Sequence, residues 1–298
     1  MGVLTELSDG LANVVEAVGP AVVRVEGGRR AAATGTVWTP DGLIITAEHS
    51  IEREEDIRVG LPDGKSVAAT MVGRDPTTDV AVLRMQAAGL RPPTWRGLDG
   101  VKVGQLALAI ARPGRTVRAR LGIVSALSAE PWQTPAGGEL ERYLEVDIGT
   151  SLGFSGGSLV DAPGQALGMI TAGLLRGTAL LVPASTLRKV VDTLLTHGRI
   201  RRGYLGLGAH PVRLPAAART QVGQDFGLIV VSIEAGSPAE RGGLLLGDVV
   251  VALDGHPVRH HHDVLLRLTP EMVGKTVRAH IIRGGAVHDL VITVGERP

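Results

Sequence analysis

From residue 21 to about residue 182 the chain is a succession of short β-branched runs cut apart by turn sequences. Runs at 21–25, 35–38, 43–46, 57–61 and 80–83 come first. A Pro/Gly-rich passage from Arg91 to Gly104 follows, and a second set of runs lies at 106–111, 122–127, 143–147, 157–160, 168–172 and 178–182. Thr39-Pro40-Asp41-Gly42 and Pro62-Asp63-Gly64-Lys65 are turns with a mechanism, because Pro presets φ and Gly accepts a positive φ. About a dozen short strands in two halves predict two packed β-barrels. The 41 glycines, roughly twice the usual share, agree with so many tight turns. With three Trp, two Tyr and two Phe, the cores must be filled by Val, Leu, Ile and Ala.

Two helical patterns flank this block. Leu4, Leu7, Leu11, Val14, Val15 and Val18 recur at helical spacing before Gly19-Pro20. Residues 183–195 place Leu187, Val190, Val191, Leu194 and Leu195 on one face. The basic run Arg199-Ile200-Arg201-Arg202 then reads as a solvated linker, and the expected boundary divides the chain into domains 1–200 and 201–298. The second domain has its own strands at 227–233, 249–253, 277–282 and 289–294. Ser237-Pro238 opens a short helix there as N-cap and first residue, and Asp263 opens another.

Composition excludes several classes of function. The formal charge of +1 exerts no long-range pull on nucleic acid or acidic lipid, and the Arg-rich pieces lack interleaved aromatics. With no cysteine there are no disulfides and no thiolate chemistry. His260-His261-His262 lacks the spacing of a metal site and reads as a solvated loop. No phosphate loop or dinucleotide fingerprint occurs, so no cofactor is expected. No run of 18 apolar residues spans a membrane. The first 30 residues lack a basic region followed by an apolar run, which predicts a cytoplasmic protein, or an exported one if an N-terminal segment is missing.

The chemistry concentrates in three places. Gly153-Phe154-Ser155-Gly156-Gly157 sets a serine among glycines, which let backbone approach a substrate closely. Upstream, His49 follows the run 43–46 and Asp79 precedes the run 80–83, in the order His…Asp…Ser. All three stand at strand ends, where loops on a rigid scaffold hold functional groups. One explanation covers them. Ser155 Oγ attacks a carbonyl, His49 takes its proton, and a buried Asp79 fixes the imidazole tautomer. The N–H groups of Gly153 and Ser155 would form the oxyanion hole.

On these residues the chain resembles the HtrA/Deg serine proteases. The resemblance is carried by Gly19-Pro20-Ala21-Val22-Val23-Arg24-Val25, Gly35-Thr36-Val37, Ile45-Thr46…His49 and Asp75…Asp79-Val80-Ala81-Val82-Leu83. Gly122-Ile123-Val124-Ser125, Asp147 and Gly156-Gly157 extend it. Past the catalytic block, Arg202-Gly203-Tyr204-Leu205-Gly206, Gly236-Ser237-Pro238-Ala239, Gly247-Asp248-Val249-Val250 and Leu253-Asp254-Gly255 resemble the family's PDZ domain. The implied fold is mainly β: a chymotrypsin-like double β-barrel followed by one PDZ domain. Four positions depart from the family pattern: Glu48 before the histidine, the loop Ala111-Arg112-Pro113-Gly114, Phe154 before the serine and Ser158 after Ser-Gly-Gly.

The resemblance also implies a specificity pocket. The residue six before the nucleophile, at the bottom of S1 in chymotrypsin-like enzymes, is Gly149, and Thr171, Ala172 and Gly173 form the candidate wall. With no carboxylate there, cleavage after small aliphatic residues is expected. In the PDZ-like part, Tyr204, Leu205, Gly206 and Leu207 would capture a peptide's terminal carboxylate on backbone N–H groups. The implied protein is a serine endopeptidase acting on unfolded or misfolded polypeptides and binding peptide C-termini, assembled as a homotrimer through its N-terminal segment. Phe154 and the altered 111–114 loop favour an alternative, a catalytically weak peptide-binding scaffold or chaperone.

Overall fold

Aliphatic strands too short to be stable singly close on themselves twice in the first part of the chain. The computed structural model describes residues 2–28, 33–149, 153–200 and 203–296. It divides into two compact units, Met1–Ile200 and Arg201–Pro298. Arg201 and Arg202 of the expected linker lie outside the described residues.

The first unit opens with helix α1 (Val3–Val18). Leu11, Val14 and Val15 pack on a cluster of Val18, Ala21, Val22, Leu108 and Ile110, so the helical periodicity of the sequence buries its C-terminal half. Six strands then form a closed barrel: β1 (Val22–Glu26), β2 (Ala33–Val37), β3 (Leu43–Ala47), β4 (Arg58–Gly60), β5 (Ser66–Asp75) and β6 (Val80–Met85), in the order β1-β2-β3-β6-β5-β4. The ten-residue β5 is absent from the sequence reading. Its short alternation, Val67, Ala69 and Met71 between exposed Ser66, Ala68 and Thr70, is weak because its one buried member is an alanine, and it breaks at a register shift between Met71 and Gly73 that bends the strand. Gly73 is needed at that bend, since a Cβ would lie 2.5 Å from Gly198 O.

A second closed barrel uses β7 (Leu106–Ala111) and β8 (Arg118–Leu127). After a small ribbon, β9 (Trp132–Gln133) with β10 (Glu139–Leu140), come its remaining strands β11 (Leu144–Val146), β12 (Ser158–Asp161), β13 (Ala166–Thr171) and β14 (Leu180–Pro183). Its order is β11-β14-β13-β12-β7-β8. Helix α2 (Ala184–His197) follows, two residues longer at its end than the periodicity indicates, and Gly198 at φ 71° closes it by donating to Leu194 O. A cluster of Leu43, Ile45, Val80 and Val82 from the first barrel, Met169, Leu180 and Val182 from the second, and Leu187, Val191 and Leu194 of α2 joins the pieces. Burying a side chain of this size is worth about 1.5–3 kcal/mol. That shared core packs β3 and β6 of the first barrel against β13 and β14 of the second.

The second unit contains β15 (Gly203–Tyr204), β16 (Leu207–Arg213), helix α3 (Ala216–Val222), β17 (Phe226–Ile233), helix α4 (Pro238–Arg241), β18 (Val249–Leu253), β19 (His256–Pro257) and helix α5 (His261–Leu265). The hairpin β20 (Thr276–Arg283) and β21 (Ala286–Thr293) and the short β22 (Gly295–Glu296) complete it. Its main sheet runs β16-β17-β18-β20-β21, with β16 at an edge and β19 beside β18. Ser237 accepts from Glu240 N–H at 3.2 Å with Pro238 in the first turn, the cap expected from sequence. β16 and α3 escaped the sequence reading, which took residues 204–207 as loop only. The fold is mainly β, a chymotrypsin-like pair of barrels with a PDZ domain after it.

Candidate active site

Asp79 is placed by its own turn. In Asp75-Pro76-Thr77-Thr78-Asp79, the buried Asp75 carboxylate accepts from Thr77 N–H at 3.1 Å, Thr77 Oγ1 at 2.6 Å and Thr78 Oγ1 at 2.7 Å. This side chain-to-backbone bonding is how Asp builds turns. The turn delivers Asp79 in the left-handed region at φ 58°, which aspartate tolerates better than most residues. Its buried carboxylate accepts from His49 N–H at 2.9 Å and faces His49 Nδ1 at 3.0 and 2.8 Å. The Thr171 hydroxyl donates to the same carboxylate.

His49 sits in a single 3-10 turn, Glu48–Ser50, immediately after β3. Its side chain is 43% exposed while that of Asp79 is 4% exposed, so one end of the imidazole is anchored and the other is open. The hydrogen bond to Asp79 raises the His49 pKa above the ordinary histidine value; partial burial opposes this, and the charges of Asp79 and Glu48 add to it. Glu48 is itself raised, chiefly by burial and against the pull of Arg74, which lies 3.4 Å from it. Glu48 is one of the departures from the family pattern, and its place beside the imidazole gives it an electrostatic effect. A general base works only when unprotonated. Activity should therefore rise with pH through a value above about 6.5, the ordinary histidine pKa. Glu48→Gln removes one charge that favours imidazolium, so its acid limb should move to lower pH. Profiles of kcat/KM against pH for both proteins check this, and superimposable limbs would show that the Glu48 charge does not reach His49.

Ser155 lies in the loop before β12, mostly buried. Its Oγ accepts from Ala172 N–H at 3.2 Å, and among the described residues no hydrogen bond joins it to His49. Catalytic hydrogen bonds are often unformed without substrate. The N–H groups of Gly153 and Ser155 donate to no other described residue. Gly156, at φ 88°, must be glycine, since a Cβ there would stand 1.9 Å from Thr34 O. Phe154 is buried in the second barrel's core, with the Arg120 guanidinium 5.3 Å from its ring centre. The departure at this position thus anchors the loop through apolar packing where a polar residue is the family habit.

The four candidate S1 residues have distinct surroundings. Gly149 adopts φ 63° beside Arg120, which donates to Ile148 O at 2.9 Å. Thr171 turns its hydroxyl to Asp79, and Ala172 offers its N–H to Ser155. Gly173 abuts the His–Asp pair: a Cβ there would lie 2.5 Å from both His49 Nδ1 and Asp79 Oδ2. Thr34, whose hydroxyl reaches Gly153 O at 2.6 Å, is a site residue that the sequence reading missed. Its position next to Gly35-Thr36-Val37 was the one available signal.

In the second unit, Tyr204, Leu207 and Ala209 line a groove of about 430 Å³ whose opposite wall is Val264, Leu265 and Leu268. Gly206, at φ 76°, passes so close to Ser237 that a Cβ would lie 2.3 Å from its Cβ. The carbonyls of Leu205 and Gly206 accept from Ala239 and Glu234, whereas their N–H groups donate to no other described residue. His261, from the histidine run, sets Nε2 2.5 Å from Ala209 O at the groove edge.

Residues 33–169 match the trypsin-like peptidase domain family, and residues 203–294 match the PDZ domain family. The probable periplasmic serine endoprotease DegP-like of Chlamydia trachomatis serovar D is 31% identical over 271 residues, covering 89% of this chain and 54% of that protein. Its namesake in Rhizobium meliloti (strain 1021) is 33% identical over 280 residues, covering 90% and 54%. The chain thus spans about half the length of these curated relatives. Among solved structures, the HtrA-type protease AlgW with decapeptide has a TM-score of 0.74 at 26% identity, covering 96% of this chain and 98% of that one. The serine endoprotease from Yersinia pestis gives the same TM-score, identity and coverage. The cytoplasmic location expected from the N-terminal residues is overturned: the curated relatives are named periplasmic, which points to an exported protein. The chain belongs to the HtrA/Deg family of serine proteases, with a trypsin-like peptidase domain followed by a PDZ domain.

Proposed function

We propose that this chain is an endopeptidase for unfolded polypeptides in which Ser155 is the nucleophile, His49 the general base and Asp79 its orienting carboxylate. The observation that carries the reading is the doubly contacted His49–Asp79 pair together with a serine loop in which the N–H groups of Gly153 and Ser155 donate to no other described residue. In the reaction His49 takes the Ser155 proton as Oγ attacks the scissile carbonyl, and later returns it to the leaving amine. Asp79 holds Nδ1, so the open Nε2 faces the chemistry. The N–H groups of Gly153 and Ser155 receive the oxyanion. A fluorophosphonate probe tests this in one step: it should label Ser155 at neutral pH and leave Ser155→Ala unlabelled. An unlabelled wild-type protein would favour the scaffold or chaperone alternative.

The second unit is proposed to bind peptide C-termini. A peptide would add a strand to the edge strand β16, with its carboxylate on the N–H groups of the Tyr204–Leu207 turn. In support, Leu207, Leu228, Val264, Leu265 and Leu268 give the groove apolar walls, and it reaches Leu205 and Gly206, whose N–H groups donate to no other described residue. AlgW, the relative solved with a decapeptide, gives the reading a peptide-bound precedent. Calorimetry on full-length Ser155→Ala, which cannot cut the ligand, should show that peptides ending in a free apolar residue bind. Amidating their C-terminus should weaken them by an order of magnitude or more, as for a lost charge-assisted contact of about 1.5–3 kcal/mol. Equal binding of acid and amide would refute the carboxylate turn. The proposed homotrimer has in its favour α1, where Val3 and Leu4 are about 80% exposed, and the mass in solution decides it.

A further inference from the structure

The loop that carries Ser155 is rich in glycine, and glycine resists no rotation of the peptide groups beside it. Gly153 at φ 85° and Gly156 at φ 88° are both in the left-handed region. Within the loop, Gly157 N–H donates to Phe154 O at 3.0 Å and so holds the peptide that carries the Ser155 N–H, whereas the Gly153 carbonyl is held from outside the loop. Thr34, on β2 of the other barrel and fully buried, is the residue that holds it.

The Thr34 hydroxyl lies 2.6 Å from Gly153 O and 3.0 Å from Arg112 N. The directions of these two bonds are fixed by chemistry. A backbone N–H can only donate and a carbonyl can only accept, so the hydroxyl accepts from Arg112 and gives its single proton to Gly153. The Thr34 N–H faces Ser155 O at 3.4 Å, and the Thr34 carbonyl accepts from Thr46 Oγ1 at 2.7 Å. Thr36, two residues along the same strand, donates to Gly156 O at 3.0 Å. One strand therefore grips the loop's carbonyls at three points, while the N–H groups of Gly153 and Ser155 donate to no other described residue. Arg112 is a firm support, because its buried guanidinium donates to Gly19 O, Val22 O and Arg115 O.

We propose that Thr34 is a positioning residue for oxyanion stabilisation: its hydroxyl fixes the Gly153–Phe154 peptide plane, which lies between the two planes that carry the Gly153 and Ser155 N–H groups, and so limits how far either can turn from the carbonyl under attack. The proposal deepens the reading of Ser155 as nucleophile and rests on it. Losing one oxyanion donor costs about 10²–10³ in turnover, and a 1 Å misplacement costs about 10².

Thr34→Val keeps the shape of the side chain and deletes the hydroxyl, whereas Thr34→Ser keeps the hydroxyl. Thr34→Val should lower kcat about a hundredfold with KM nearly unchanged, and should weaken a peptidyl boronate by a similar factor. Thr34→Ser should restore both. A role in packing alone predicts the reverse order, because valine fills the site better than serine. If Thr34→Val does not fold, Thr34→Cys takes its place, with a weaker donor in a similar volume, and should fall between threonine and valine. A second readout needs no catalysis. Gly153-Phe154 is the one Gly-Phe pair in the sequence. Labelling glycine carbonyls with ¹³C and phenylalanine nitrogen with ¹⁵N therefore gives a single cross-peak, whose carbonyl shift should move upfield in the valine variant and stay in place in the serine variant. A folded Thr34→Val with undiminished kcat, or an unmoved cross-peak, overturns the proposal. Failure of the underlying reading looks different, since wild-type protein would then take up no fluorophosphonate.

Discussion

Ser155→Ala is expected to leave a folded protein that no longer cleaves casein, with turnover lower by roughly 10⁴–10⁶. The substitution deletes one mostly buried oxygen, Oγ, whose one hydrogen bond among the described residues comes from Ala172 N–H. The loop's other ties run through carbonyls and glycines that alanine does not touch. Folding should therefore survive, as a thermal melt would read. If Gly149 and Thr171–Gly173 form the S1 pocket as the family resemblance implies, with no carboxylate in it, the wild-type digest should show products ending in small aliphatic residues, because an uncompensated charge there is costly. Casein cleavage by the alanine variant at the wild-type rate would remove Ser155 from the mechanism. Cuts after Lys or Arg would refute the pocket built around Gly149.

Gly173→Ala should come next in size. Gly173 does not lie at positive φ, so its backbone accepts an L side chain, yet the added Cβ would stand 2.5 Å from His49 Nδ1 and from Asp79 Oδ2. The atoms in its way are the ends of two side chains, which can swing aside without moving the strands. The expected result is a nearly unchanged melting temperature with turnover down by about 10²–10⁴. The lower figure corresponds to a small misplacement and the upper to loss of the orienting carboxylate. Gly156→Ala makes the contrast, because its Cβ would strike the Thr34 backbone oxygen at 1.9 Å, and backbone cannot yield so easily. If Gly173→Ala keeps full turnover, the His–Asp pair is not confined as the geometry indicates.

Much of this architecture is legible in the residues. Turn sequences and aliphatic runs locate most strands of both barrels, and Ser237-Pro238 marks a helix start by its chemistry. Strand β5 was not legible, because its alternation of Val67, Ala69 and Met71 is short, is centred on a small residue, and breaks where the strand shifts register before Gly73. β16 was hidden for another reason. Its Gly208 and Pro211 read as loop, although on the sheet edge a proline costs no ladder bond.

The types of the reacting groups and their order along the chain were determined by sequence alone. Acyl transfer needs a serine, a base and a carboxylate, and glycines are needed where backbone must pass close or turn left-handed. The supporting contacts were decided only in three dimensions. Thr34 meets Gly153 across 119 positions, and Thr171 meets Asp79 across 92. Such partners are selected by the register of β2 and β13 within their barrels and by the core that packs one barrel on the other. A buried threonine bonded within its own strand and one that steadies an oxyanion hole are the same letter. They differ only in what the fold places 3 Å from the hydroxyl.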